Sequence, residues 1–240
     1  MSLFGRTAPP PKRPAEAGEN PFWISYADLM TALMVLFLVA LTVALFAITQ
    51  TVNEEAQQKE TRSDEIADFM QQLRALSERH PGISVRGTAI DFGERARFRS
   101  NSHRLEPEQV RLLRDFVPQV LELARQPLGA RWLKRITVIG YADARGQYLY
   151  NLNLSLQRSQ RVLCALLVPQ ATLSPLSDGD RQDVRRLFMV SGASFNALKD
   201  SPEASRRIEL RLEFLEKGEA SAPSSALPAD EDPRCPLDLA

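Results

Sequence analysis

Residues Pro21 to Ile48 form a nearly unbroken apolar run, and from Phe22 to Ile48 only Asp28 carries a charge. Those 27 residues make about 40 Å of helix, more than the ~30 Å hydrocarbon core of a bilayer requires. The run is too long for the apolar region of a cleavable signal peptide and no small-x-small cleavage pattern follows it, so it reads as an uncleaved anchor. A carboxylate within a spanning helix costs at least ~2.5–3.5 kcal/mol and faces protein or water rather than lipid. Leu29 to Ile48 alone covers ~30 Å, so Asp28 could instead lie at headgroup level with Trp23 and Tyr26 as an aromatic belt. Against this, Ser25, Asp28, Thr31 and Thr42 project into one sector about 120° wide, while Leu, Val and Phe fill most of the rest. Such a polar stripe implies a protein or water-lined neighbour.

The 240 residues carry 30 basic and 30 acidic side chains, a balance that offers no electrostatic case for direct nucleic-acid binding. Arg6, Lys12 and Arg13 precede the apolar run and Lys59 and Arg62 follow it, a small bias toward a cytoplasmic N-terminus. Both cysteines, Cys164 and Cys235, then lie on the exported side, where a disulfide within or between chains can persist; two free thiols are the alternative. His80 and His103 stand alone, and no Gly-x-Ser-x-Gly, metal-spaced cluster or phosphate loop is present, so the sequence does not read as an enzyme and calls for no cofactor.

The flanking segments divide the chain. Residues 1–20, with Pro9, Pro10, Pro11 and Pro14, read as an unstructured cytoplasmic tail; 21–48 as the transmembrane helix; 49–80 as a helical linker; 81–217 as one compact domain; and 218–240 as a flexible tail. In the linker Ile66, Phe69, Met70, Leu73 and Leu76 recur at three- and four-residue steps, a narrow seam to be covered by a second copy or by the following domain. Dimerisation through it is the expectation. Beyond it, short strands are predicted at Ile83–Val85, Thr88–Phe92 and Arg97–Arg99, and a helix over Glu106–Arg125 with Pro107 in its first turn. A strand over Arg135–Tyr141, a helix around Tyr148–Val168 and strands over Leu187–Ser191 and Ile208–Phe214 complete the pattern. The fold class is α+β: a single N-terminal transmembrane helix, a helical linker and an α/β sandwich with a mixed sheet.

A second constellation lies where the strand ending at Gly140 enters Tyr141-Ala142-Asp143-Ala144-Arg145-Gly146, followed by Tyr150-Asn151, Leu154-Ser155 and Arg158. Asp143 can accept hydrogen bonds from an ammonium or an amide, and Arg158 presents a planar fork suited to a carboxylate, a pair fit for a zwitterionic amino acid. The plainer reading makes Asp143 a helix cap and Arg158 half of a surface ion pair.

These two stretches resemble known families. Trp23-Ile24-Ser25-Tyr26-Ala27-Asp28-Leu29-Met30-Thr31-Ala32-Leu33-Met34 is similar to the ion-carrying helix of stator B subunits, those of flagellar motors and, more closely, that of the Zorya anti-phage defence system. Only about 35 residues separate Ile48 from the first strand, shorter than the flagellar plug and linker, which favours the Zorya type. The run from Gly140 to Arg158, together with Arg206-Arg207-Ile208-Glu209, resembles the peptidoglycan-binding signature of OmpA-like domains, with Tyr141 and Ala142 standing where a histidine and a threonine are common.

The resemblance implies that Asp28, with Ser25 and Thr31 nearby, loads and releases a translocated H+ or Na+. It implies that Asp143 and Arg158, supported by Asn151 and Ser155, hold the diaminopimelate of the cell wall. The partners it implies are a second copy in a homodimer, a pentameric ring of multi-pass A-type subunits with a long cytoplasmic tail, and peptidoglycan. The location it implies is the bacterial inner membrane, with the C-terminal domain in the periplasm. A flagellar stator subunit, or a passive wall anchor with an interfacial Asp28, are the alternatives.

Overall fold

The computed structural model describes residues 22–169, 176–216, 218–219 and 234–238. Helix α1 (Phe22–Glu78) is continuous through the expected boundary at Ile48. The chain divides into two compact units between Gln57 and Gln58. In the first unit the described side chains of α1 are exposed, and among the described residues it is the one helix long and apolar enough to cross a membrane, with a window of mean hydropathy 2.7. Exposed leucine, valine and phenylalanine at this density belong to a lipid or protein environment.

In the second unit follow β1 (Ser84–Arg86), β2 (Ala89–Asp91), α2 (Pro107–Arg125), α3 (Pro127–Trp132), β3 (Leu133–Gly140), α4 (Tyr148–Leu167), α5 (Asp178–Leu187), β4 (Phe188–Gly192), α6 (Pro202–Ser205) and β5 (Ile208–Phe214). Among the described residues the sheet has five strands in the order β1-β2-β5-β3-β4. β3 and β4 run parallel, and the other neighbours are antiparallel, so the sheet is mixed as expected.

Alternation along the strands gives the sheet two unlike faces. Ile90, Ile136, Val138, Leu210 and Leu212 point into the core, where they meet Leu113, Phe116, Val117 and Val120 of the amphipathic α2 and Val162 and Leu166 of α4. The opposite face is polar and cross-linked: Arg135 Nε and Thr137 Oγ1 donate to Glu213 at 2.7 and 2.8 Å, and Tyr141 Oη donates to Glu209 at 3.1 Å. At the end of β3, Gly140 lets α4 approach: a Cβ there would lie 1.9 Å from the Ser155 carbonyl oxygen, which no side chain tolerates.

The seam predicted in the linker is covered by the chain itself. Phe69, Met70, Leu73 and Leu76 are buried in the domain core, with Phe69 edge-on to Phe214 at 5.8 Å between centroids. Arg62 Nε donates to the Leu215 carbonyl at 2.9 Å, and Glu65 accepts from Arg131 (2.9 Å) and from the Trp132 indole. The expected dimer seam is therefore corrected: side chains already withdrawn from solvent have no apolar surface left for a second copy. The strand expected at Arg97–Arg99 is also absent. Gly93–Ala96 is a 3-10 turn, and Phe98 N–H makes one bond to the Arg206 carbonyl (2.9 Å) instead of joining a ladder. Helices α3 and α5 were not legible beforehand. Each is short, and α5 carries more charge than apolar residues, with Ser177 capping its start by accepting from Asp180 N–H.

The expected unstructured ends, 1–20 and 218–240, lie outside the described residues apart from 218–219 and 234–238. That last segment is fastened to α4. Cys235 forms a disulfide with Cys164, their Cα atoms 5.3 Å apart, and Asp238 pairs with Arg161 at 2.8 Å.

Candidate functional site

In the first unit Ser25, Asp28 and Thr31 are exposed on α1. The Thr31 hydroxyl donates to the Ala27 and Asp28 carbonyls, its Oγ1 lying 2.9 Å from each, because a threonine on a helix satisfies itself on the preceding turn. Thr42 likewise donates to the Val39 carbonyl at 2.8 Å.

In the second unit the strand-to-helix turn after β3 and the segment Phe98–Ser102 enclose a cleft of about 320 Å3, lined by Asp143, Arg145, Asn151, Arg158 and Arg206 among others. Such a volume suits a small polar ligand. Asp143 is buried at the mouth of the turn. Its Oδ1 accepts the Arg145 backbone N–H at 3.1 Å; its Oδ2 accepts Arg145 Nη2 at 2.7 Å, Arg145 Nε at 3.2 Å and Arg206 Nη1 at 2.7 Å. Burial pushes this carboxyl up, but the hydrogen bonds from Arg145 and Arg206 outweigh it and hold Asp143 at about 2. The turn closes at Gly146, whose φ of +93° few side chains adopt.

Arg158 is fully buried, stacked over the Phe98 ring at 5.1 Å. Its Nε donates to the Ser102 carbonyl (2.9 Å), Nη1 to Tyr141 (2.7 Å) and Nη2 to Arg99 (3.3 Å). Burial, then the neighbouring Arg206 charge, lowers its pKa to about 10, so it stays cationic at neutral pH. Neither half of the plainer sequence reading holds: Asp143 is gripped by two guanidinium groups, and Arg158 is a buried clamp on three carbonyls rather than a surface partner of an acid.

Asn151 lines the cleft and pins its turn, Nδ2 donating to the Arg145 carbonyl at 2.7 Å. Ser155 does not line it. Wholly buried between α4 and the end of β4, its Oγ donates to the Leu152 carbonyl (2.8 Å) and accepts the Ser194 N–H (3.0 Å), so its expected supporting contact with a ligand becomes a packing role. Tyr141 points to the polar face beneath Arg207, 4.0 Å from ring centroid to guanidinium carbon, whereas Ala142 lines the cleft.

Two cleft residues escaped the sequence reading. Arg206 was visible only as part of a terminal Arg-Arg pair, yet it reaches Asp143 while also bonding the Phe98 carbonyl (3.0 Å) and Glu203 (3.0 Å). Arg145 lies inside the Asp-x-x-Gly turn, where nothing marks it as a ligand to its own neighbour. Tyr150 Oη donates to Asn101, which holds a φ of +55° on the opposite wall. Among the described residues no three metal-ligating side chains cluster.

Comparison with known proteins adds the following. The family model MotB_plug, described as membrane MotB of the proton-channel complex MotA/MotB, matches residues 6–61. Zorya protein ZorB from Escherichia coli O139:H28 (strain E24377A / ETEC) is 42% identical over 218 residues, covering 89% of this chain and 88% of that protein. Among solved structures, the periplasmic domain of MotB matches at 14% identity and a TM-score of 0.38, covering 57% of this chain and 69% of that one. The OmpA-like domain of FopA1 from Francisella tularensis subsp. tularensis SCHU S4 matches at 17% identity and a TM-score of 0.35, covering 56% and 82%.

Proposed function

We propose, for a chain that belongs to the ZorB family of stator-type B subunits, that it is the wall-anchored B subunit of an ion-driven motor in which Asp28 carries the ion. The observation that carries this reading is that Asp28 is the one charged residue between Phe22 and Ile48, on a helix whose apolar window has a mean hydropathy of 2.7. A carboxylic acid crosses apolar surroundings in its neutral form and seeks a donor or water when ionised, which makes a buried acid a reversible carrier. The membrane potential supplies ~2.3 kcal/mol per charge per 100 mV, enough to bias a stepwise loading cycle. The MotB named in the matching family belongs to a MotA/MotB proton-channel complex; by analogy A-type membrane subunits surround this chain, in a pentameric ring about a homodimer, and the ion is a proton.

The cleft supplies the anchor. A zwitterionic amino-acid centre, as on the free end of diaminopimelate, matches the cleft's single carboxylate and its guanidinium groups. The Cys164–Cys235 disulfide supports a periplasmic domain and a cytoplasmic N-terminus, because disulfides persist on the oxidising side of the inner membrane.

Asp28→Asn tests the motor. Loss of ion flux and of anti-phage protection, with unchanged membrane level and unchanged peptidoglycan sedimentation, is expected. Full protection by the variant would leave only a passive tether, with Asp28 at the headgroups.

A further inference from the structure

Three donors crowd Oδ2 of Asp143 and leave no place on that oxygen for a ligand's ammonium. A carboxylate offers about four lone-pair positions. Here Oδ1 takes one donor, the Arg145 backbone N–H, while the two positions on Oδ2 are shared by three, Arg145 Nη2, Arg145 Nε and Arg206 Nη1. These donors are not equally removable. The Arg206 side chain is 9% exposed and tied also to the Phe98 carbonyl and Glu203, and the backbone N–H is part of the turn. The Arg145 side chain is 61% exposed, and beyond Asp143 the one partner it donates to among the described residues is Ser100 Oγ at 3.1 Å.

Resting on the reading of this cleft as an amino-acid site, we propose that Arg145 is a built-in stand-in for the ligand's cation. Its guanidinium holds the position on Asp143 that a ligand ammonium takes, and the zwitterionic end of the wall peptide binds by turning it out. The exchange trades one cation for another, so the buried carboxylate is never left unpaired, which would cost far more than the swap. It also makes the cleft selective. A ligand whose distal amine is acetylated has no cation to offer Asp143 and leaves Arg145 in place. Arg158 and Arg206 are not displaced in either case, because each is anchored on backbone carbonyls.

The test is calorimetric titration of the full chain in detergent with the tripeptide L-Ala-γ-D-Glu-meso-diaminopimelate, its distal amine free or acetylated. Arg145→Ala removes a competitor and is expected to tighten the free-amine tripeptide about two- to five-fold, the range set by an exposed ion pair screened by solvent. It leaves the acetylated tripeptide unchanged. Arg145→Gln, which keeps the bulk of the side chain and loses the charge, tightens binding likewise. Weaker or unchanged free-amine binding by both variants overturns the inference while the cleft stands, provided Asp143→Asn abolishes binding. Wild-type binding that Asp143→Asn leaves intact, or no binding at all, sinks the reading of the cleft and the stand-in with it.

Discussion

Replacing Asp143 by Asn removes the charge and preserves the shape, which isolates what ionisation contributes to the fold. Burial raises this carboxyl, and the bonds from Arg145 and Arg206 bring it from an ordinary 3.8 down to about 2. That gap corresponds to about 2 kcal/mol of preferential stabilisation of the ionised form in the folded chain. The folded value lies below the unfolded one, so the contribution is fully present above pH 4 and is lost as pH falls through about 2. The substitution also weakens the partner of the buried Arg206 at every pH, adding a constant cost. Urea unfolding of the full chain in detergent reads both parts. In a Trp23→Phe background the emission comes from Trp132 alone, whose indole donates to Glu65 within the domain. The wild-type advantage is expected to be constant from pH 7 to about 4 and to shrink by about 2 kcal/mol toward pH 2. Other carboxyls held low, such as Asp91 and Glu213, occur in both proteins and cancel. A difference that does not change with pH would refute the ion-pair account of the turn.

Two further outcomes follow from the packing. Phe69→Ala removes a ring that is 1% exposed and is expected to cost about 3–5 kcal/mol of domain stability in the same urea assay; an unchanged midpoint with a lost dimer would return the seam to an intermolecular role. Ser155→Ala leaves the Ser194 N–H without its acceptor and is expected to cost about 1–3 kcal/mol of stability while leaving tripeptide affinity within two-fold, roughly the resolution of the titration; a selective loss of affinity would restore Ser155 to the ligand.

Much of the molecule is written locally. The apolar run and its single acid need only length and composition, because a bilayer imposes its thickness on any sequence that crosses it. In α2 the apolar residues Leu113, Phe116, Val117 and Val120 recur at helical spacing and are buried together, since a 3.6-residue period leaves little choice of side. The turn from Asp143 to Gly146 and the placement of Asn151 and Arg158 on one helix were also legible, because their spacing is a property of adjacent residues.

Contacts between distant residues were not. Which surface covers Phe69 and Leu73 depends on Phe214, far along the chain, so an identical seam could have served a dimer. Arg206 stands 63 positions from Asp143 and meets it only because β5 pairs antiparallel with β3, which brings Ile208 opposite Gly140. Cys164 and Cys235, 71 positions apart, could have bridged, stayed free or joined two chains. Sequence alone determined the long helices, the main strands and what chemistry each carries, because helical and strand periods and turn residues act over a few neighbours. Tertiary structure decided which side chains share one carboxylate and which serine is spent on packing, because strand register and helix approach are set by the burial of the whole core.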